Sequence, residues 1–379
     1  MKSSPKLRIL MTTDAVGGVW SYTTALATAL VERSCEVLVV TLGPRPRPDQ
    51  VASIAGHSAL KLVVTDHALE WMDPQGRDFD RACDRLTKIA REFKPDLMHF
   101  NSYREATVGW EIPVLVVAHS CVWTWWQACC GSSPEEPCWS IYADRVRSAI
   151  DLADCWIAPS EAFRLAIERT YCPRNHGRVV YNGIEELPHA IGKEHFILAA
   201  GRLWDEAKNI AALARIASDL DWPVKLVGPE SQEHDGIAGT ECAEFLGRLP
   251  RQDLLSLMAR ASIYAAPSLY EPFGLSVLEA ASSGCALLLS DIPAYRELWR
   301  GAALFVDPRD DRELGRTLRL LCDDNDFRGK LQRAARRRAR RYSRKAMSVG
   351  YLAAYRSLLE PQAIVMPPHS APDARNFGP

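Results

Sequence analysis

The chain has 379 residues, with 46 Lys and Arg against 47 Asp and Glu, 47% hydrophobic and 25% charged residues, and a formal net charge of −1. That length exceeds one ordinary hydrophobic core and argues for two domains of similar size, while the near-neutral balance excludes a global field that would select nucleic acid or an acidic partner. No apolar run approaches the ~18 residues of a bilayer span, and MKSSPKLRILMTTDAVGG lacks the apolar core and cleavage site of a secretory signal. The 11 cysteines are scattered through apolar stretches without zinc-ligand rhythm. They predict free thiols in a reducing cytoplasm and no metal site.

In chain order, the first half alternates short apolar runs with longer stretches of helical spacing. LRILMTT (7–13) predicts a buried strand, and SYTTALATALVERS (21–34) a helix with Ser21 as its cap. CEVLVVTL (35–42), ALKLVVT (59–65), PDLMHFN (95–101), PVLVVAHS (113–120) and CWIAPS (155–160) predict further strands, with helices at 80–94 and 140–153. Such repetition argues for a parallel sheet covered on both faces. The turn-rich stretch YNGIEELPHAIGKEH (181–195) breaks the pattern. Strands resume at 196–203, 223–230, 243–249, 262–268, 285–291 and 302–307, with a helix at 209–220. The pattern predicts an α/β chain of two Rossmann-like, doubly wound domains, about 1–185 and 190–345. A last helix at 346–361 and an aperiodic, proline-rich tail at 362–379, expected to be disordered, follow.

In such sheets ligands bind beyond the carboxyl ends of the strands, at helix N-termini. LYEPFGLSVLEAASSG (269–284) reads as the loop and helix after one such strand, closed by Gly284. The free N–H groups of 275–277 and the positive end of the helix dipole suit phosphate. Gly274 lets backbone approach a ligand closely. Glu271 lies outside the helix. Glu279 lies ~6 Å further along the axis, among Val277, Leu278, Ala280 and Ala281, where an ionised group needs a partner. Carboxylates accept from paired hydroxyls, so a sugar at Glu271, phosphates at the helix end and a ribose at Glu279 satisfy the set together. Arg202 and Lys208, in GRLWDEAKN (201–209), are placed to neutralise a diphosphate.

APSLYEPFGLSVLEAASSGCALLLSDIPAYREL (266–298) closely resembles the signature of glycosyltransferase family 4, retaining enzymes of the GT-B fold. GRLWDEAKN, YNGIE (181–185), LVGPE (226–230) and FLGRLP (245–250) resemble the family's other landmarks in order. The likeness spans roughly 7–360, strong in the C-terminal half and loose in the N-terminal half. It implies a nucleotide-diphosphate-sugar donor in the second domain and an acceptor in the first, with no divalent metal or other cofactor. Glu271 would bind the donor sugar near the reacting carbon and Glu279 the ribose. Backbone amides of Phe273, Gly274, Leu275 and Ser276 would hold sugar hydroxyls and phosphates, and Arg202 and Lys208 the diphosphate. The backbone near Gly228 and Arg248 would meet the base. Gly17 and Gly18 would face the phosphates, and His119 would contact the donor sugar. The acceptor would be a glycan, lipid-linked or small-molecule hydroxyl, in surface-polysaccharide or glycolipid assembly. Rival functions are a nucleotide-sugar epimerase of the same fold and a silent nucleotide-sugar-binding protein.

Other segments carry two readings each. TDAVGGVWSYTTAL (13–26) is a strand-to-helix turn or a ligand loop, but it is not GxGxxG, and no ribose-binding acid ends the next strand. His119, and secondarily His99 and Asn101, end strands at the interdomain face. CVWTWWQACCGSSPEEPCWSIY (121–142) reads as a loop packed by aromatic bulk, or as an acceptor platform built from Trp123, Trp125 and Trp126, with Tyr103 beside it. The stretch 328–346, with ten basic and no acidic residues, reads as a solvated helix face or as a peripheral contact with an anionic membrane on the inner leaflet.

Overall fold

The computed structural model describes residues 6–188, 192–229 and 242–360. The tail at 362–379 lies outside them. Seven parallel strands form the first sheet: β1 (Arg8–Asp14), β2 (Glu36–Leu42), β3 (Leu60–Val63), β4 (Leu97–Phe100), β5 (Val114–Val117), β6 (Cys155–Ala158) and β7 (Arg178–Val179), in the order β3-β2-β1-β4-β5-β6-β7. Six form the second: β8 (Glu194–Ala200), β9 (Val224–Val227), β10 (Ala243–Phe245), β11 (Ala261–Ala266), β12 (Ala286–Ser290) and β13 (Leu304–Val306), in the order β10-β9-β8-β11-β12-β13. Every pairing is parallel. A parallel sheet needs helical crossovers that cover both faces, so the central strands read as unbroken apolar runs.

The first domain's helices are α1 (Gly18–Val31), α2 (Pro48–Ile54), α3 (Phe79–Phe93), α4 (Val122–Cys130), α5 (Pro137–Leu152) and α6 (Glu161–Tyr171). Those after it are α7 (Ile210–Ile216), α8 (Arg251–Arg260), α9 (Leu275–Ser282), α10 (Pro293–Trp299), α11 (Asp311–Asp323), α12 (Asn325–Ala339) and α13 (Arg344–Leu359). Each sheet is packed on both faces. α3, α5 and α6 bury Leu86, Val146 and Ile167 against one face of the first, and α1 and α13 bury Leu26 and Tyr351 against the other. α13 follows the second domain in the chain, yet Met347, Tyr351, Ala354 and Tyr355 lie in the first domain's core. The two crossings between domains touch: Ile184 N–H donates to the Tyr342 carbonyl at 3.1 Å and Arg344 N–H to the Ile184 carbonyl at 2.8 Å. Glycine is required at 183, where a Cβ would stand 2.2 Å from the Ser343 carbonyl oxygen.

Three local expectations are corrected. α1 starts at Gly18 with Gly17 as N-cap, so Ser21 lies inside the helix and caps nothing. The Trp- and Cys-rich stretch 121–142 is not a loop. It forms α4, ended by Gly131 at φ 69°, and the start of α5. The basic stretch 328–346 is not one helix face: α12 ends at Ala339 and α13 begins at Arg344. Several of its cations are committed within the protein. Arg338 donates to the carbonyls of Leu298 and Arg300, Arg340 to Glu186, and Arg344 to Glu32 and Glu185.

Candidate active site between the two sheets

The site begins where β11 ends. The chain leaves the sheet at Pro267, turns through Glu271, and enters α9 at Gly274, whose φ of 86° makes it a left-handed N-cap. A Cβ there would be strained and would stand 3.0 Å from the Tyr295 ring. No side chain caps α9, so its first N–H groups stay open for an anion. At its far end Gly284, φ 85°, follows the C-cap Ser283.

The charges expected to meet a diphosphate are each held by a carboxylate. Lys208 Nζ lies 2.5 Å from Glu271 Oε2, and Arg202 lies 2.5 and 3.1 Å from Asp205 Oδ2. Glu279 is 5% exposed, and its Oε1 meets Arg251 Nη2 at 2.7 Å. The apolar flank of Glu279 implied such a partner. Its identity, 28 positions away at the start of α8, has no spacing signal. Gly228, φ 155°, brings β9 against β8 so closely that a Cβ would fall 1.7 Å from the Gly201 carbonyl oxygen. Its N–H donates to the Gly247 carbonyl at 2.9 Å, beside the exposed Arg248.

The first domain reaches the same place. Asp14, at the end of β1, accepts from the N–H groups of Val16 at 2.8 Å and Gly17 at 3.3 Å. Burial raises its pKa, against the pull of those two N–H groups and of Arg202. A Cβ on Gly17 would stand 2.8 Å from Arg202 Nη1, and one on Gly18 3.4 Å from Leu275 Cδ1. The glycine pair thus lies against the cation and the helix start of the opposite domain.

Asn101 donates through Nδ2 to the Thr12 carbonyl at 2.7 Å, which leaves Oδ1 to accept from His119 Nε2 at 2.8 Å. His119 therefore carries its proton on Nε2 and keeps Nδ1 as an acceptor. Burial, with His99 nearby, lowers its pKa to about 3, so the ring is neutral at ordinary pH. His99 is wholly buried, its Nδ1 2.6 Å from the Tyr355 hydroxyl of α13, and burial takes its pKa to about 3 as well. His99 is a core group that ties α13 to the sheet, and Asn101 orients His119.

The aromatic candidates separate. Tyr103 is 2% exposed and its hydroxyl donates to the Ser120 carbonyl at 3.0 Å, so it packs within the domain and offers no open face to an acceptor. Trp123, Trp125 and Trp126 are half-buried on α4. Trp123 Nε1 donates to the Trp139 carbonyl at 3.1 Å, Trp125 Nε1 to Asp205 Oδ1 at 3.3 Å, and the Trp126 ring lies 5.8 Å from that of Trp125. α4 is also gripped by the second domain at both ends. Tyr270, next to Glu271, takes the Cys121 N–H at 3.1 Å and bonds Thr124 Oγ1 at 2.9 Å. Arg309 donates to the carbonyls of Ala128 and Cys129, each at 3.2 Å. Nearby, Glu297 accepts from the N–H groups of Glu161 and Ala162 at 2.9 and 2.7 Å, which caps α6 across the interface. Tyr270, Arg309 and Glu297 escaped the sequence reading because each acts on a partner in the other domain; Asp205 escaped it too, and serves both Arg202 beside it and Trp125 across the interface.

The chain is similar to known proteins along most of its length. The family model described as Glycosyltransferase Family 4 matches residues 16–186, and that described as Glycosyl transferases group 1 matches 186–338. A glycogen synthase of Mycobacterium tuberculosis H37Rv is 25% identical over 417 aligned positions, covering 97% of this chain and all of that protein. The O-antigen chain mannosyltransferase B of Escherichia coli is 30% identical over 180 positions, 43% of this chain and 45% of that one. Among solved structures, sucrose-phosphate synthase from Thermosynechococcus elongatus superposes with a TM-score of 0.78 at 18% identity, over 93% of this chain and 99% of that one. Anabaena Alr3699/HepE, solved with UDP and glucose, gives 0.73 at 18% identity, over 93% and 100%.

Proposed function

The chain belongs to glycosyltransferase family 4, the glycosyl transferases of group 1, and from that premise we propose that it moves a hexosyl group from a nucleotide-diphosphate sugar to an acceptor hydroxyl with retention. The observation that carries the proposal is the meeting of the uncapped α9 N-terminus, Arg202, Lys208 and Glu271 with the Gly17–Gly18 turn of the other domain. The donor's diphosphate fits between the α9 amides and the two cations, whose charges stabilise the leaving group as it departs. Phosphate entering beside Lys208 competes with Glu271 for its ammonium. That frees the carboxylate to accept from sugar hydroxyls close to the reacting carbon.

Glu279 accepts from the ribose hydroxyls, while Arg251 pairs with the buried carboxylate. His119, neutral and with Nδ1 unprotonated, accepts a hydrogen bond from a hydroxyl of the donor sugar and is not a general acid at neutral pH. The acceptor hydroxyl enters on the face the nucleotide leaves, and its proton passes to the departing phosphate. No step is assigned to a metal. A polysaccharide or glycolipid acceptor is in keeping with the names of the glycogen synthase and O-antigen relatives, and a nucleotide donor with the UDP and glucose of the Anabaena protein. The free cysteines are in keeping with a cytoplasmic setting. No helix among the described residues is long and apolar enough to cross a membrane.

A thermal-shift screen of UDP-, GDP- and ADP-sugars tests the donor class. A donor at 100 times its dissociation constant adds about 2.7 kcal/mol to stability. Glu271→Ala is expected to bind that donor and lose turnover. Donor binding absent from every nucleotide sugar sinks the proposal. Interconversion of a nucleotide sugar without acceptor turns it toward an epimerase.

A further inference from the structure

A cavity of about 370 Å³ opens at the amino edges of β8, β11 and β12, the opposite end of the second sheet from Glu271 and the α9 N-terminus. β11 is six residues long, so the two ends stand ~20 Å apart. The ionisable groups lining the cavity are Lys193, His195, Arg328, Arg333 and Arg336, with no carboxylate among them. In a chain of net charge −1, that concentration is local.

Capping of helix ends explains part of it. Lys193 Nζ donates to the carbonyls of Met258 at 3.3 Å, Ala259 at 2.7 Å and Ser283 at 2.7 Å, which closes the C-terminal ends of α8 and α9. Arg328 donates to the carbonyls of Leu321 and Cys322 at 2.7 and 3.0 Å and lies 4.7 Å above the Trp222 ring. Carbonyls satisfy these donors without neutralising them, so both full charges remain in the wall. Burial lowers the pKa of each, against the pull of Asp324 at Arg328, and Arg336 adds to the effect at Lys193. Arg336 itself reaches Glu186 at 3.6 Å.

Helix capping accounts for neither the open volume nor the mouth. Arg333 is exposed and has no ion pair or hydrogen bond among the described residues. His195 is exposed and stacks on Trp222, with centroids 4.4 Å apart and planes 11° apart. The cavity therefore has buried positive charge at its back, an aromatic wall, and a guanidinium with unspent donors at its rim.

We propose that this cavity is a second anion site, separate from the cleft, which binds a phosphate ester or diphosphate through Arg333 and His195 against the charge of Lys193 and Arg328. A planar guanidinium matches two phosphate oxygens at once, and the volume admits a small phosphorylated metabolite. A lipid headgroup offers the same chemistry, and the experiment separates the two sources. Inorganic pyrophosphate titrated calorimetrically into the full chain is expected to show a component that Arg333→Glu weakens about tenfold or more. The double variant Arg202→Ala/Lys208→Ala should leave that component in place. Arg333 and His195 are exposed, so Arg333→Glu and His195→Ala keep the fold, which a melting curve checks. Co-sedimentation with phosphatidylcholine vesicles, with and without phosphatidylglycerol, forms the second arm. Vesicle binding lost in Arg333→Glu, without pyrophosphate binding, assigns the site to a lipid headgroup. Binding of either probe that both variants leave unchanged, or no binding of either, overturns the site.

Discussion

Glu279 and Arg251 show how one buried charge organises its surroundings. The carboxylate is almost wholly buried while its guanidinium partner is half exposed, at 48%. Arg251→Ala strands the carboxylate, and the exposed side of the pair limits the cost to about 1 kcal/mol of unfolding free energy, measurable by urea denaturation. Glu279→Gln keeps the packing and is expected to weaken nucleotide binding about tenfold, since two ribose hydroxyls lose a charged acceptor. Calorimetry with the donor found by the screen checks it. His99 makes a pH prediction. Its folded pKa lies near 3, below the ordinary 6.5, so its stabilising contribution is complete above pH 6.5 and is lost as pH falls toward 3. By pH 5 the loss reaches about 2 kcal/mol, and His99→Gln should flatten that part of the stability–pH curve. Glu271, Glu279 and Gly274 were legible because turn, helix start and carboxylates lie in one short stretch. Arg251 was not, because its partnership with Glu279 is made by the fold and leaves no local pattern, and Asn101, read as a secondary candidate, shows its hold on His119 only once the strands are paired.

α4 is the element the sequence misjudged. Tryptophans and cysteines have middling helix propensity, and the following Gly-Ser-Ser-Pro reads as loop. What the composition leaves undecided, the neighbours settle. Tyr270 ties its start, Asp205 its middle and Arg309 its end, so tertiary contact overrides weak local preference. Tyr270→Phe removes the acceptor of the Cys121 N–H and the Thr124 bond while keeping the ring. Amide exchange in residues 122–130 should rise several-fold while the β11 amides keep their protection. Equal acceleration in both would mean that α4 has no stability of its own to lose. α1 erred in the same direction. Ser21 looked like a cap, yet the helix starts three residues earlier, because Gly17 lets the turn pass close to Arg202. By contrast, the two sheets were legible strand by strand apart from the two-residue β7, since apolar runs separated by helical spacing leave a parallel, doubly covered sheet as the arrangement that buries both faces.

At the scale of the whole molecule, two α/β layers could be read from the alternation, but not how they touch. The interface rests on single side chains that serve the opposite domain, and Glu297 is one of them. Glu297→Ala leaves the Glu161 and Ala162 N–H groups without their acceptor, while Ser160 still caps Phe163. About 1 kcal/mol of stability should be lost, and small-angle scattering of the ligand-free chain should report a more open particle. An unchanged scattering curve would show that the other cross-domain contacts suffice. The last helix adds a constraint of another kind. The polypeptide passes between the halves twice, at Gly183–Ile184 and at Ser343–Arg344, and the two passes are hydrogen-bonded side by side. A single tether would let one half spin freely against the other. A paired ribbon flexes like a strap hinge and resists twist, so the jaws should open and shut along one arc and return Gly17 to the same amides each time. A protease cut in either pass should leave both halves in register, held by the pass that remains.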